Sequence, residues 1–528
     1  MKFNYAKTIE KWDVFEVTVS GPKEGNPFCD QWIKGTFCCK NEKKTVDGFY
    51  DGDGVYKVRF MPSFTDEYTF EIEASFDINA EYKLGTADGG KAAEKCAVRN
   101  ILTGIFTVIP PSADNHGPVR VAGTYYLAYE DGTPYHCIGT TCYVWNLQNE
   151  ELQKQTLKTL EENAFNKIRF CIFPKHYDYN LHEPITYPYE GTPCDSSVLN
   201  ENNFAEYNGC APGNDWDFTR FNPAHFQHIE KCIQALMKLG IEADLIVMHP
   251  YDRWGFSMMK AEDDDRYWKY VLARFSAYRN VWWSLANEYD LMHEKTLSDW
   301  ERYAGIICEK DPYHHLRSIH NCKAYYDYNL PWITHCSVQR TETYRSSELV
   351  NEWREKYHKP VILDEICYEG NIQFGWGNIS GEEMTRRFWE AFCRGGYPGH
   401  GETYLSPDRI LWWSHGGVLH GTSPERIKFL AKIMEETPGL GVEPMPCKWD
   451  EVVCRAAGFP ARKDYFIYYY SFMRPGFRDF YFDDTTEYQV EIIDTWEMTI
   501  TDGGVHKGKF RVKLPGKEYM AVRLRVAK

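Results

Sequence analysis

Two apolar runs in this chain end in carboxylates. Val281-Trp282-Trp283-Ser284-Leu285-Ala286 passes directly into Asn287-Glu288, and Pro360-Val361-Ile362-Leu363 passes into Asp364-Glu365. Runs of this length with few polar interruptions are the pattern of parallel strands buried on both faces. Each strand would then carry a glutamate at its C-terminal tip. In a barrel of parallel strands wrapped by helices those tips hold the chemistry, and two carboxylates on separate strands are what glycosidic cleavage requires. One attacks the anomeric carbon while the other, kept protonated, gives its proton to the departing oxygen. Glu288 and Glu365 are therefore the candidate catalytic residues, with Glu288 as acid/base and Glu365 as nucleophile, and Asn287 beside them to hold a sugar hydroxyl. A single terminal glutamate would as readily cap its strand or bind loop amides. Glu369 and Glu402 are rival nucleophiles, but Glu365 is the one that directly ends the apolar strand.

Other residues at strand ends extend this set. Arg169 lies within Ile168-Arg169-Phe170-Cys171-Ile172-Phe173, where an unpaired guanidinium would be very costly, so it needs a carboxylate partner. His249 ends Leu245-Ile246-Val247-Met248, and His320 and Gln339 end two further runs, where they could line a cleft. His249 is equally readable as a satisfied core histidine. Trp412 and Trp413 fall in an expected loop near His400, Glu402 and His415, and tryptophan there can stack on a sugar face or simply pack.

The segment from Lys359 to His420 carries Tyr368-Glu369-Gly370, Gly375-Trp376-Gly377-Asn378, Gly399-His400-Gly401-Glu402-Thr403-Tyr404 and Trp412-Trp413-Ser414-His415. With the Asn-Glu pair on the fourth strand and a Glu on the seventh, it resembles clan A of the glycoside hydrolases. Within that clan it is similar to a little-characterised bacterial group distantly related to apiosidases, in which two small β-domains flank the barrel. The resemblance implies retention of configuration, Arg169 supporting the nucleophile and His249 contacting the sugar. Many clan members place a tyrosine beside the nucleophile on the sixth strand. Cys336-Ser337-Val338-Gln339 offers none, so Tyr368 or Tyr404 is expected to replace it.

The elements that must position these residues follow from periodicity. Eight strands are expected at 136–141, 167–173, 243–249, 281–287, 316–320, 333–339, 360–365 and 398–404, alternating with helices. Trp268, Val271, Leu272 and Phe275 make one helical stripe; Phe226, Ile229, Ile233 and Leu236 make another. Ser380 with Glu383 predicts a capping box, and Ser423-Pro424 opens the last helix. The acidic run Glu262-Asp263-Asp264-Asp265 is a helix start, favoured by the helix dipole, rather than a metal site.

The fold class is thus α/β: a (β/α)8 barrel at 121–437, an immunoglobulin-like β-sandwich at 1–120 and a small β-sandwich at 438–528. A breaker-rich stretch, Ile109 to Pro118, separates the first two, and a hairpin is expected at Asp131-Gly132. An open doubly wound sheet is disfavoured, since no glycine-rich phosphate fingerprint follows the first strand.

Composition agrees. The chain has 528 residues, 43% hydrophobic and 16% aromatic, enough for a large barrel with two smaller domains. A formal charge of −16 argues against nucleic acid or an anionic membrane as partner, and a neutral carbohydrate substrate fits better. The 17 cysteines lack the spacing of a zinc or redox site and are expected to be free thiols. With no apolar leader at the N-terminus, a cytoplasmic location is the expectation. Self-association into a homo-oligomer is left open. His-Glu-x-x-His, P-loop and Gly-x-Ser-x-Gly motifs are absent, and the two-carboxylate reaction needs neither metal nor organic cofactor. The sequence therefore reads as a retaining glycosidase releasing a terminal sugar. A non-catalytic carbohydrate-binding barrel and a transglycosylase are the alternatives.

Overall fold

The computed structural model describes residues 3–78, 100–446 and 451–527. At the N-terminus, side chains alternate between buried and part-exposed along Phe15–Ser20 and Glu67–Ala74, as period-two patterning requires. The strands form a four-stranded and a five-stranded sheet. Their shared core is aromatic: the rings of Phe15 and Phe106 stack at 3.7 Å and those of Phe37 and Phe60 at 4.3 Å. The aromatic residues of this domain are largely spent on packing.

A buried charge network joins this domain to the barrel. The Arg59 guanidinium pairs with Glu230 at 2.6 Å, and Arg274 pairs with Glu230 and Asp51, each at 2.7 Å. All four side chains are buried, and their hydrogen bonds offset the desolvation that isolated charges would suffer.

After the breaker-rich stretch, Val119–Ala122 and Tyr126–Tyr129 pair as a hairpin, and a second turn at Asp131-Gly132 returns the chain to a bridge between Ala128 and Pro134. Val119, Leu127 and Tyr135 from this segment pack on Trp282, Ile362 and Tyr397, closing the N-terminal end of the barrel.

The barrel strands are Gly139–Thr141, Lys167–Cys171, Glu242–Met248, Val281–Ala286, Arg317–Ser318, Cys336–Gln339, Val361–Glu365 and Tyr397–His400. All neighbours are parallel, in the order five-four-three-two-one-eight-seven-six, and a bridge between His320 and Ser337 completes the ring. Helices follow seven of the strands. The expected eighth unit is incomplete: strand five has only two residues, and no helix separates it from strand six. That crossover is held instead by side chains. Asp290 accepts three consecutive amides, from Cys322, Lys323 and Ala324, at 2.6 to 2.8 Å.

Two local expectations are revised. Ser380 Oγ accepts the Glu383 amide at 3.3 Å, but the Glu383 carboxylate turns to Arg386 and Arg387, so only half of the capping box forms. Trp412–His415 is a short helix rather than a loop.

Six antiparallel strands and a two-stranded ribbon make up the C-terminal domain. One sheet face, including Cys454, Ile467 and Tyr469, merges with the barrel core, where Trp389 stacks on Tyr469. The other face, with Phe466, Val490 and Leu524, forms a separate core under the ribbon. The cysteines among the described residues are free.

Candidate active site

Along the second barrel strand, alternate residues Lys167 and Arg169 point inward, and register aligns Arg169 with Asp244 on strand three. The inner wall is therefore charged, and its charges are matched. Lys167 Nζ lies 2.7 Å from both Asp244 and Asp364, and Ser337 donates to Asp364 at 2.5 Å. Burial by itself would raise the Asp364 carboxyl, but Lys167 and Arg169 hold it far below the usual range.

One layer higher, Arg169 donates to Glu365 at 3.2 Å and to Asn287 at 2.9 Å. It thereby ties the tips of strands four and seven together. Strict alternation would aim Glu365 away from the face that Asp364 occupies. The pairing of strands six and seven, however, slips between Ser337 and Gln339, so that Gln339 stands opposite Glu365. This irregularity re-aims Glu365 into the mouth of the barrel. Glu288 is turned by a different device, a left-handed backbone with φ +49°. That conformation is unusual for a residue with a side chain, and it concentrates at functional sites.

The two glutamates are buried, at 6% exposure each, yet sit in opposed surroundings. Glu365 Oε1 faces His320 Nε2 at 3.2 Å and Arg169, and accepts from the Tyr143 hydroxyl. Burial would raise its pKa, but these partners outweigh it and hold the group at about 2. Glu288 accepts from Gln339 Nε2 at 2.9 Å and from the Tyr251 hydroxyl. Burial, then the negative charge of Glu365, push it up to about 7. Gln339 joins the two halves, since its carbonyl oxygen lies 3.1 Å from His320 Nε2. At neutral pH the arrangement holds one ionised carboxylate and one carboxyl that is readily protonated, which is the state a paired acid and nucleophile need.

The family described as "Apiosidase-like, catalytic domain" matches residues 122–438, more than half of the chain. The chain belongs to the apiosidase-like family. Its flanking segments match two domains of unknown function, DUF5060 over residues 8–75 and DUF5605 over residues 449–525. A candidate glycoside hydrolase of Bacteroides vulgatus is 37% identical over 99% of this chain and all of its own, with a TM-score of 0.86. A glycoside hydrolase family 5 protein of the same organism, 15% identical, superposes with a TM-score of 0.58 over 78% of this chain and 94% of its own. That second likeness is one of fold. No curated protein matches the sequence.

In this apiosidase-like chain the remaining expected residues divide. Gln339, His320, Asn287 and Arg169 converge on the glutamate pair through the contacts above. Trp413 lines the same mouth, edge-on to Tyr143 at 5.6 Å. Tyr368 packs between Trp376 and Trp413, and Gly401 is what makes room for it: a Cβ there would meet the Tyr368 ring at 2.0 Å. His249 is held behind the cleft, its Nε2 3.3 Å from the Phe173 carbonyl, and burial lowers its pKa to about 3.

Four expected residues point elsewhere. Trp412 is core: its Nε1 donates to Thr140 at 2.8 Å and its ring packs near Phe165. His415 lines a separate pocket with Leu147, Leu152 and Ile410. His400 stacks on Phe165 at 4.7 Å, and Glu402 accepts the His420 and Gly421 amides at 2.6 and 2.8 Å. Glu402 thus satisfies a loop, with one amide on each oxygen. Glu369, His400 and Glu402 do bring ligand atoms within 4.8 Å of one another, the one such cluster among the described residues. Glu369, however, is occupied by the Thr422 and Ser423 amides at 2.7 and 3.0 Å. The cluster fastens the start of the last barrel helix.

Tyr368 does stand beside Glu365, whose charge helps to raise its buried hydroxyl, whereas the Tyr404 hydroxyl reaches Glu369 at 3.2 Å. The shortest hydroxyl contact to Glu365 comes from Tyr143, in the loop after strand one. Sequence reasoning also missed Tyr251, Tyr177 and Lys175. Their only signal was position, three to six residues past the C-terminal ends of strands two and three.

Proposed function

We propose that this chain is a retaining glycosidase that releases a terminal sugar, with Glu365 as nucleophile and Glu288 as general acid and base. The observation that carries the reading is the opposed state of the two carboxyl groups, one held down to about 2 and the other raised to about 7 across the Gln339–His320 link. Glu365 attacks the anomeric carbon as Glu288 protonates the departing oxygen. Esterification then removes the Glu365 charge, the proton affinity of Glu288 falls, and Glu288 takes a proton from the water that completes the cycle. Asn287, fixed by Arg169, is oriented to hold a sugar hydroxyl. Release of a terminal unit is supported by a hydrogen bond from Tyr179 to Gln373, which ties the loops after strands two and seven across one side of the rim. No helix among the described residues is long and apolar enough to cross a membrane.

The test begins with a panel of aryl glycosides, pyranosides and furanosides, with apiosides included because of the family's name. On the best of them, Glu365→Gly is expected to lose turnover and to be rescued by azide with inverted product. Glu288→Ala is expected to keep glycosylation by substrates with good leaving groups and to give, with azide, a product of retained configuration. Exchange of these behaviours would exchange the two roles. Near wild-type activity in both would remove the assignment. Product analysis separates hydrolysis from transfer to a second sugar.

A further inference from the structure

Three buried cations line the inner wall and the mouth of the barrel, and two of them are committed. Lys167 is bound by two aspartates and Arg169 by Glu365 and Asn287. Lys175 differs. It follows the second strand, is 3% exposed, and makes no ion pair or side-chain hydrogen bond within the described residues. Its ammonium is enclosed by aromatic rings, 3.5 Å from the centroid of Tyr143, 4.2 Å from Tyr251, 4.6 Å from Trp413 and 5.3 Å from Tyr177.

The identity of those rings locates the group. The Tyr143 hydroxyl donates to Glu365 and the Tyr251 hydroxyl to Glu288. Lys175 therefore stands against the two tyrosines that hold the two glutamates. Ring faces attract an ammonium but accept none of its three N–H groups as a carbonyl or hydroxyl oxygen would. Burial of the side chain lowers the lysine to about 8, while its Nζ is not one of the wholly enclosed polar atoms that lack a partner, so the ammonium keeps contact with the cleft. From there it can reach an oxygen of a molecule bound in the cleft.

We propose that Lys175 is a substrate-binding residue of the cleavage site, its ammonium donating to an oxygen of the sugar that is cleaved and so selecting which sugar is accepted. The inference rests on the glycosidase reading above. That oxygen belongs to a neutral hydroxyl rather than to a sugar carboxylate. Lys167 is engaged with Asp244 and Asp364, and Arg169 and His320 with Glu365, so Lys175 would meet a sugar carboxylate alone, without the second donor that a planar carboxylate takes.

The test compares wild type with Lys175→Met on the aryl glycoside that wild type cleaves best and on its monodeoxy analogues. On the parent glycoside kcat/KM is expected to fall about 10- to 100-fold, the range for a hydrogen bond to a charged group. On one analogue, the one lacking the contacted hydroxyl, wild type and variant should be equal. Lys175→Gln fills the same cage and serves if the methionine variant does not fold. An equal loss on the parent and on every analogue would overturn the proposal, because a merely structural lysine acts that way. Unchanged kinetics would also overturn it. If wild type prefers the glycoside bearing a C6 carboxylate and the variant loses only that preference, the hydroxyl assignment is overturned in favour of an acidic sugar. If wild type cleaves no glycoside, the glycosidase reading itself fails and this inference falls with it.

Discussion

Removing the charge of Glu365 should lower the pKa of Glu288, and the size of the fall can be worked out beforehand. Burial is the first cause that raises Glu288 to about 7, and the Glu365 charge is the second. A retaining pair lies about 5 to 5.5 Å apart. At that separation and an effective dielectric constant of about 20, two unit charges repel by roughly 3 kcal/mol, which is about two pH units. In Glu365→Gln, Glu288 should therefore titrate near 5 (~5) rather than 7. Carbon-13 labelling of the glutamate carboxyls, with the Glu365→Gln/Glu288→Gln double variant to identify the resonance, reads the midpoint directly. The same shift accompanies formation of the glycosyl-enzyme, and it is what would let one residue act first as acid and then as base. In the wild type, kcat/KM should be flat between the two titrations at about 2 and about 7, fall to half at about pH 7, and keep roughly a tenth one unit past that midpoint. A midpoint within half a unit (~0.5) of the wild-type value in the Gln variant would refute the reasoning. It would mean that burial alone sets Glu288 and that the two carboxyl groups do not share a site.

Two further expectations concern stability. Glu230→Gln leaves the buried guanidinium groups of Arg59 and Arg274 short of a charge partner, and should cost about 3 to 5 kcal/mol in urea unfolding; a loss under about 1 kcal/mol would show that the network does not hold the N-terminal domain on the barrel. Glu242 is buried with, among the described residues, only Trp282 donating to it, at 2.8 Å, and burial raises it to about 8. Its folded pKa thus lies above its unfolded one, so the stability it contributes is fully present below about pH 4.5 and is lost as pH rises through about 8. Glu242→Gln cannot ionise, and between pH 6 and 9 it should lose less stability than wild type, by a few (~3) kcal/mol; parallel curves for the two proteins would contradict this.

Much of this protein was legible in its sequence because strand periodicity and strand ends are local signals. Apolar runs at Val281–Ala286 and Val361–Glu365 mark parallel strands, and a polar residue that closes such a run must sit at the rim, where water or substrate can satisfy it. The need of Arg169 for a carboxylate was likewise a matter of burial alone. The direction in which each rim residue points was not local. Period two predicts that Asp364 and Glu365 face opposite ways; only the slipped pairing of strands six and seven brings both into the barrel, and a register depends on the neighbouring strand. The left-handed turn at Glu288 has no sequence marker, because glutamate has no preference for it and the tertiary contacts must impose it. Glu402, His400 and Trp412 share residue types with the site, yet each is consumed by a loop amide, a stacking ring or a threonine that lies far away in sequence. Tyr143, Tyr251 and Lys175 come from three different loops and meet only because the closed barrel brings the C-terminal ends of its strands around one mouth. The elements and the pair of glutamates were fixed by local pattern, whereas the partners that give those glutamates their chemistry were chosen by ring closure.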